Sequence, residues 1–386
     1  SKWIEYAPDW KLLKKKDEYM TAANLLIVTG TFDKDQGKAS YFGTNIYEAF
    51  KSAYDEDTIL FLNGGNLTSL DETFQNIGQF KVIVWMPLID NSEDKYLGDI
   101  KKKNTTALLI QSKRNDSNKY TNFDLVKRMF AAHSNLCLEI SKVDGMTAGY
   151  TYNFKLLDPL GNIWYGGPFI KVAADRMTQV VQRLLSMTRY PSRQVTDNDI
   201  DKDVDRHFLE AVKSYGWRFS TLINHAINKQ RFLGNASTRC MRGFPAQKND
   251  NVILVSKRNV EKESISAQEF VPVNLQGNEV CYYGDHKPSV DSAVQIMLFN
   301  YYPYVKYIIH GHTYIPGCIY TAKHVPCGYI EEFQEITQLV PDQGSYNFSI
   351  NLVGHGCIIL ANDLDYIAGL PMVARDFPED LTKHQI

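Results

Sequence analysis

The stretch VKYIIHGHT, residues 305–313, joins an apolar run of strand type to two histidines one residue apart. In an extended chain alternate side chains share a face, so His310 and His312 converge on one point. Two imidazoles so placed can hold Zn²⁺, which takes nitrogen ligands at about 2.0–2.1 Å. A third histidine, His355, stands in LVGHGCIIL, residues 352–360, with a glycine on each side that lets the backbone approach a site closely. Three neutral imidazoles with one open position is the donor count of a catalytic zinc rather than of a closed structural one. Asp291 precedes the pair at the start of a helical pattern, after Lys287-Pro288-Ser289-Val290. A helix start with Ser289 beside it also offers backbone N–H groups to an anionic substrate.

Outward from this centre, Ser289–Tyr301 is helical by period, and Val252–Val255, Phe270–Asn274 and Glu279–Tyr283 read as strands, with Gln276-Gly277-Asn278 as a turn. Amphipathic helices are expected at Val204–Tyr215 and near Phe219–Gln230. In the first half, short apolar runs at Asn24–Thr29, Thr58–Leu62, Lys81–Met86, Thr106–Gln111, Asn135–Ile140 and Phe154–Asp158 are separated by longer stretches, of which Ser40–Ala53 has clear helical spacing. Such alternation predicts βαβ units and a mostly parallel sheet with helices on both faces. Asp158-Pro-Leu-Gly-Asn162 predicts a hairpin turn, and Lys171–Met187 a helix stopped at Tyr190-Pro191. An Asp-rich run, Asp197–Asp205, reads as a linker, so the expected division is 1–195 and 196–386, both α/β.

Composition narrows the function classes. Lys+Arg number 42 against 44 Asp+Glu, a formal charge of −2, which gives no global attraction for nucleic acid or an anionic membrane. No apolar run reaches the roughly 18 residues of a membrane helix, and Ser1-Lys-Trp-Ile-Glu5 lacks a secretory pattern. The six cysteines (Cys137, Cys240, Cys281, Cys318, Cys327 and Cys357) contain no C-x-x-C pair and read as reduced thiols. The expectation is a soluble, cytoplasmic protein with neither nucleic acid nor membrane as partner.

Residues from about 205 to 370 resemble the class II aldolase/adducin family, in features that occur in family order. Gly234-Asn235-Ala236-Ser237-Thr238-Arg239 resembles G-N-x-S-x-R, Val252–Arg258 the strand and turn that follow, and Phe270–Gly277 the next strand and turn. Lys287-Pro288-Ser289-Val290-Asp291 resembles K-P-S-S-E/D, His310-Gly311-His312 resembles H-T-H, and Gly354-His355-Gly356 resembles N-H-G. The resemblance implies His310, His312 and His355 as metal ligands, with Zn, or else Mn or Fe, as the cation. It implies Asp291 as the acid/base carboxylate. It places Asn235, Ser256 and Ser289 where family members bind a phosphate or oxyanion. The implied reaction is an aldolase-type cleavage or an epimerisation of a phosphorylated or nucleotide-linked sugar, through an enediolate or retro-aldol step. It also implies a homo-oligomer of the tetrameric kind.

The departures matter as well. Aldolases of the family carry Glu where this chain has Asp291, whereas its 4-epimerases carry Asp; yet the second aspartate of those epimerases has no counterpart in Thr313–Val325. Val290 replaces a serine, and Lys257-Arg258 replaces a phosphate-binding turn, so Lys257 or Arg258 is expected to supply charge there. Should Asp291 prove a ligand, Glu331 and Glu332 are the nearest alternative bases. In the first half, Ile27-Val-Thr-Gly30, Gly37-Lys38, Ile100-Lys-Lys-Lys103 and Phe154–Asn162 resemble the phosphopantothenoylcysteine synthetase fold, which is Rossmann-like. That resemblance implies Gly30, Gly37 and Lys38 facing a nucleotide or another phosphorylated ligand. Two further function classes stay open: a non-catalytic scaffold of aldolase/adducin type, and nucleotide-dependent ligase chemistry in the first domain.

Overall fold

Leu25, Leu26, Ile27 and Val28 are all buried, a continuous apolar run of the kind found in a strand covered on both faces. They belong to β1 (Leu25–Asp33) in a computed structural model that describes residues 24–89, 93–143, 151–196, 202–219, 232–240, 252–342, 344 and 346–386. The expected helix near Phe219–Gln230 lies, beyond Phe219 itself, outside the described residues, as do Ser1–Glu5 and much of the Asp-rich run. The chain divides into two units, the first Ser1–Leu184 with Pro378–His384, the second Leu185–Phe377 with Gln385–Ile386.

In the first unit, β2 (Ile59–Asn66), β3 (Val82–Leu88), β4 (Leu108–Arg114) and β5 (Leu136–Lys142) join β1 in the parallel order β2-β1-β3-β4-β5. The helices α1 (Tyr41–Ala53), α2 (Leu67–Phe74), α3 (Glu93–Lys103) and α4 (Asn122–Ala132) fall between successive strands, as the alternation predicts. Ser40 begins α1 as its N-cap, its side chain accepting from Gly43 N–H at 3.4 Å, and Ile46, Tyr47, Ala49 and Phe50 bury the inner face. The antiparallel pair β6 (Tyr152–Leu157) and β7 (Ile163–Gly167) finishes the sheet, followed by α5 (Ile170–Ser186). Its turn closes on Asp158, whose carboxylate accepts from Leu160 N–H at 2.9 Å, Asn162 Nδ2 at 2.8 Å and Trp164 Nε1 at 2.9 Å. Arg176 of α5 holds the late segment of this unit, donating to Leu381 O at 2.9 Å and His384 O at 2.6 Å.

The second unit is built on a sheet of order β14-β15-β13-β9-β10-β11-β12-β8. These strands are β8 (Ser192–Val195), β9 (Asn235–Arg239), β10 (Ile253–Ser256), β11 (Phe270–Gln276), β12 (Glu279–Tyr283), β13 (Tyr307–Gly311), β14 (Asn347–Leu352) and β15 (Gly356–Ala361). Neighbours are antiparallel except β12 and β8. Because β8 pairs with β12, the chain leaves the first unit at Leu184, ahead of the expected boundary at 195.

Alternation sorts the strands' side chains onto two faces. Ile253, Val255, Ile308, Ile358 and Leu360 share one core with Val294 and Phe299 of α7 (Ser292–Tyr301) and Ile336 of α8 (Glu331–Leu339). Leu254, Ile309, Cys357 and Ile359 share the other with Phe208 and Val212 of α6 (Arg206–Tyr215) and Ile367 of α9 (Leu364–Ala368). The helix α7 is apolar nearly all round, as befits a buried helix. Among the described residues no helix is long and apolar enough to cross a membrane.

Candidate metal centre

His310 closes β13 on the face that α7 covers, opposite Ile358 of β15 and Asn235 of β9 in the ladder. Its Nδ1 donates to Cys357 O at 2.9 Å, which leaves the Nε2 lone pair facing inward. His312 follows two residues on, its backbone N–H donating to Phe219 O at 2.6 Å. His355 sits in the turn between β14 and β15, and its Nδ1 donates to Glu332 Oε2 at 2.8 Å, so that its Nε2 likewise carries the lone pair facing the other two rings. A carboxylate on the far nitrogen fixes both tautomer and ring orientation, as in many metal-ligating histidines. The turn depends on Gly356: a Cβ there would stand 2.0 Å from Gly311 O, so only glycine lets β15 run this close to the end of β13.

The three rings gather. Ligand-capable atoms of His310, His312 and His355 all lie within 4.8 Å of one another, and the residues are 2%, 6% and 0% exposed. His310 Nε2 and His312 Nδ1 are buried without a hydrogen-bond partner, a costly arrangement unless something else occupies those lone pairs. Burial, reinforced by the neighbouring rings, holds the His310 and His312 imidazoles below the usual histidine range, so they present neutral nitrogen donors. Orphaned, neutral, converging imidazoles fit a divalent cation of the zinc type.

Asp291 is the N-cap residue of α7, but its side chain makes no capping bond. Instead Oδ1 accepts from Gly328 N–H at 2.8 Å and Oδ2 from Asn235 Nδ2 at 3.2 Å, which aims the carboxylate at His310 Nε2, 3.7 Å away. Asn235 also donates to Ser289 Oγ at 3.0 Å and accepts from Gln295 Nε2, while Ser237 Oγ donates to Gln295 Oε1 at 2.5 Å. The structure therefore brings His310, His312, His355, Asp291, Asn235 and Ser289 together.

The other residues singled out in the sequence have their own contacts. Ser256 is buried with its Oγ accepting from Ala236 N–H at 3.1 Å, and its carbonyl accepts from Ser289 N–H at 3.2 Å. Lys257 pairs with Glu269 at 3.0 Å. Its neighbour Arg258 donates to Pro288 O at 3.3 Å, and burial together with the Arg189 guanidinium lowers its pKa. In the first unit, Gly30 and Gly37 serve close backbone packing: a Cβ on Gly30 would meet Gly64 N at 2.5 Å, and one on Gly37 would meet Thr31 O at 1.7 Å. Lys38 N–H donates to Thr31 Oγ1 at 2.6 Å in the same loop. Glu331 accepts from Thr188 N–H at 3.0 Å. Cys327, whose Sγ lies 3.2 Å from His355 Nε2, was not singled out, and nothing in its spacing marks it.

Residues 222–322 match the profile of the Class II Aldolase and Adducin N-terminal domain. The match takes in Asn235, Asp291, His310 and His312 and ends before Cys327, Glu332 and His355. Among solved structures, the chain is similar to YgbL of Klebsiella pneumoniae, provisionally described as an aldolase/epimerase/decarboxylase, at 17% identity over 42% of this chain and 79% of that one, with a TM-score of 0.29. It is similar to the N-terminal Class II Aldolase domain of a conserved protein from Thermoplasma acidophilum at 12% identity, covering 47% and 92% of the two chains, TM-score 0.28. It is also similar to the C-terminal domain of the coenzyme A biosynthesis bifunctional protein CoaBC at 13% identity, covering 42% and 98%, TM-score 0.30. No curated protein matches the chain.

Proposed function

We propose that the second unit is a divalent-metal-dependent lyase of aldolase type, or an epimerase, acting on a phosphorylated or nucleotide-linked sugar. The observation that carries this reading is the cluster of three buried imidazoles, with His310 Nε2 and His312 Nδ1 lacking a hydrogen-bond partner, beside an aimed carboxylate. His310, His312 and His355 would hold the cation, zinc fitting the donor set best. Bound there, a divalent cation supplies Lewis-acid polarisation of a substrate carbonyl.

The chain's own residues do the rest. Asp291 accepts and returns the proton at the carbon beside the carbonyl, or at the hydroxyl whose loss of a proton starts C–C cleavage. Gly328 N–H and Asn235 hold its two oxygens, so the carboxylate does not have to reorganise during the transfer. Ser289, beside Asn235, offers a hydroxyl to the substrate, and Arg258 supplies positive charge toward the phosphate, since Lys257 is engaged with Glu269. The first unit, taken by itself, binds a nucleotide or another phosphorylated ligand or runs a partner step.

Metal analysis of protein prepared in metal-replete medium should return close to one equivalent of zinc, iron or manganese per chain. Incubation with a panel of pentose and hexose phosphates and nucleotide sugars in D₂O should then show exchange at a carbon next to a carbonyl. Sub-stoichiometric metal overturns the site. Full metal occupancy without exchange or cleavage across the panel overturns the catalytic reading and favours the scaffold.

A further inference from the structure

Cys327 lies on the loop before α8 with its Sγ 3.2 Å from His355 Nε2 and 3.9 Å from His312 Nε2. Its peptide is anchored from two sides. Arg189 Nη2 donates to Cys327 O at 3.0 Å, with the guanidinium 4.5 Å over the Tyr329 ring, and the next N–H, that of Gly328, donates to Asp291 at 2.8 Å. The thiol is therefore presented by a fixed backbone.

With Zn–S about 2.3 Å and Zn–N about 2.0–2.1 Å at a tetrahedral angle, a sulfur and an imidazole nitrogen sharing one ion stand about 3.5 Å apart. The two separations from Cys327 bracket that value. A second observation comes from a different residue: His310 Nε2, buried and without a hydrogen-bond partner, belongs to the same cluster. Sulfur and orphaned nitrogen thus border one space.

Resting on the metal reading above, we propose that Cys327 supplies a thiolate ligand to the ion held by His310, His312 and His355. On binding, the S–H proton passes to solvent and a sulfur lone pair forms the bond, with no change of oxidation state. The resting site is then a three-nitrogen, one-sulfur set rather than an open three-imidazole site. With four protein donors, the site would have to release Cys327 or take a further ligand to admit substrate. A thiolate in the set also selects zinc over the harder magnesium and manganese ions.

The test uses the full chain, stripped of metal and titrated with Co²⁺. Binding near one equivalent, with a near-ultraviolet sulfur-to-cobalt charge-transfer band, is the expected result. Cys327→Ser should bind cobalt without that band. X-ray absorption of the zinc-loaded wild-type chain, which needs no variant, should show a Zn–S shell at about 2.3 Å. Stoichiometric cobalt binding without the band, the band persisting in Cys327→Ser, or a zinc shell of nitrogen and oxygen alone each overturns thiolate ligation while leaving the three-histidine site standing. Absence of cobalt binding in the wild type overturns both.

Discussion

Asp291 occupies a helix N-cap yet makes no capping bond, its oxygens being taken by Gly328 and Asn235. An N-cap side chain is worth about 1 kcal/mol to a helix, and a residue that forgoes it is held for another purpose. Asp291→Asn should leave bound metal near one equivalent and lower turnover by about 10²–10⁴-fold, the usual contribution of a positioned acid/base. His312→Ala should lose metal and activity together, because it removes a donor directly. Metal content and initial rates on the same preparations check both, and metal loss in Asp291→Asn would make Asp291 a ligand. At this scale the gathering of His310 and His312 was legible because strand periodicity fixes a shared face. Glu332 on His355, and Cys327 beside it, were not legible as contacts. They arrive from a loop and a helix start whose path over the sheet leaves no periodic trace. Lys257 and Arg258, adjacent in sequence, could not be told apart until the strand end placed Lys257 against Glu269, whose carbonyl accepts from Lys257 N–H at 2.8 Å.

Among the elements, those with apolar runs or helical spacing were the legible ones: β1 to β6, α1, α5, α6, α7, and β10 to β13. The strand β9 was not read as one because Asn235 and Ser237 turn inward to a buried polar network instead of alternating with apolar residues. In β15 every residue is buried, so no alternation marks a face. The pairing of β15 with β13 is also where the clustered histidines are brought together, with Gly356 at the closest approach. Gly356→Ala should destabilise the protein by about 1–3 kcal/mol through overpacking, and should weaken metal binding as the strand ends part. Chemical denaturation and a zinc competition assay measure the two effects. Wild-type stability in this variant would show that the approach of Gly356 to Gly311 is not a constraint.

At the scale of the whole molecule, each unit encloses its own core, the first around Val28, Leu62, Ile83 and Trp85, the second on the two faces of its sheet. A ligand specific to one unit stabilises that unit by mass action, by about 2.7 kcal/mol at a hundredfold excess over its Kd. Calorimetry should therefore show zinc raising one transition and a nucleotide another. A nucleotide that moves no transition would remove the ligand assigned to the first unit. The expected division at 195/196 treated the units as beads on a string, which charge runs and turn residues encourage. The pairing of Pro378–His384 with the first unit has no such signature, because it rests on backbone carbonyls that any sequence supplies. That segment makes the second unit an insert spliced into the first, tethered at both ends. A recombination event that exchanged the second unit could not succeed with a single crossover near Leu185. It would carry off Leu381 and His384 as well and strip Arg176 Nη2 of both its acceptors, leaving the guanidinium only its Nε bond to Trp164 O.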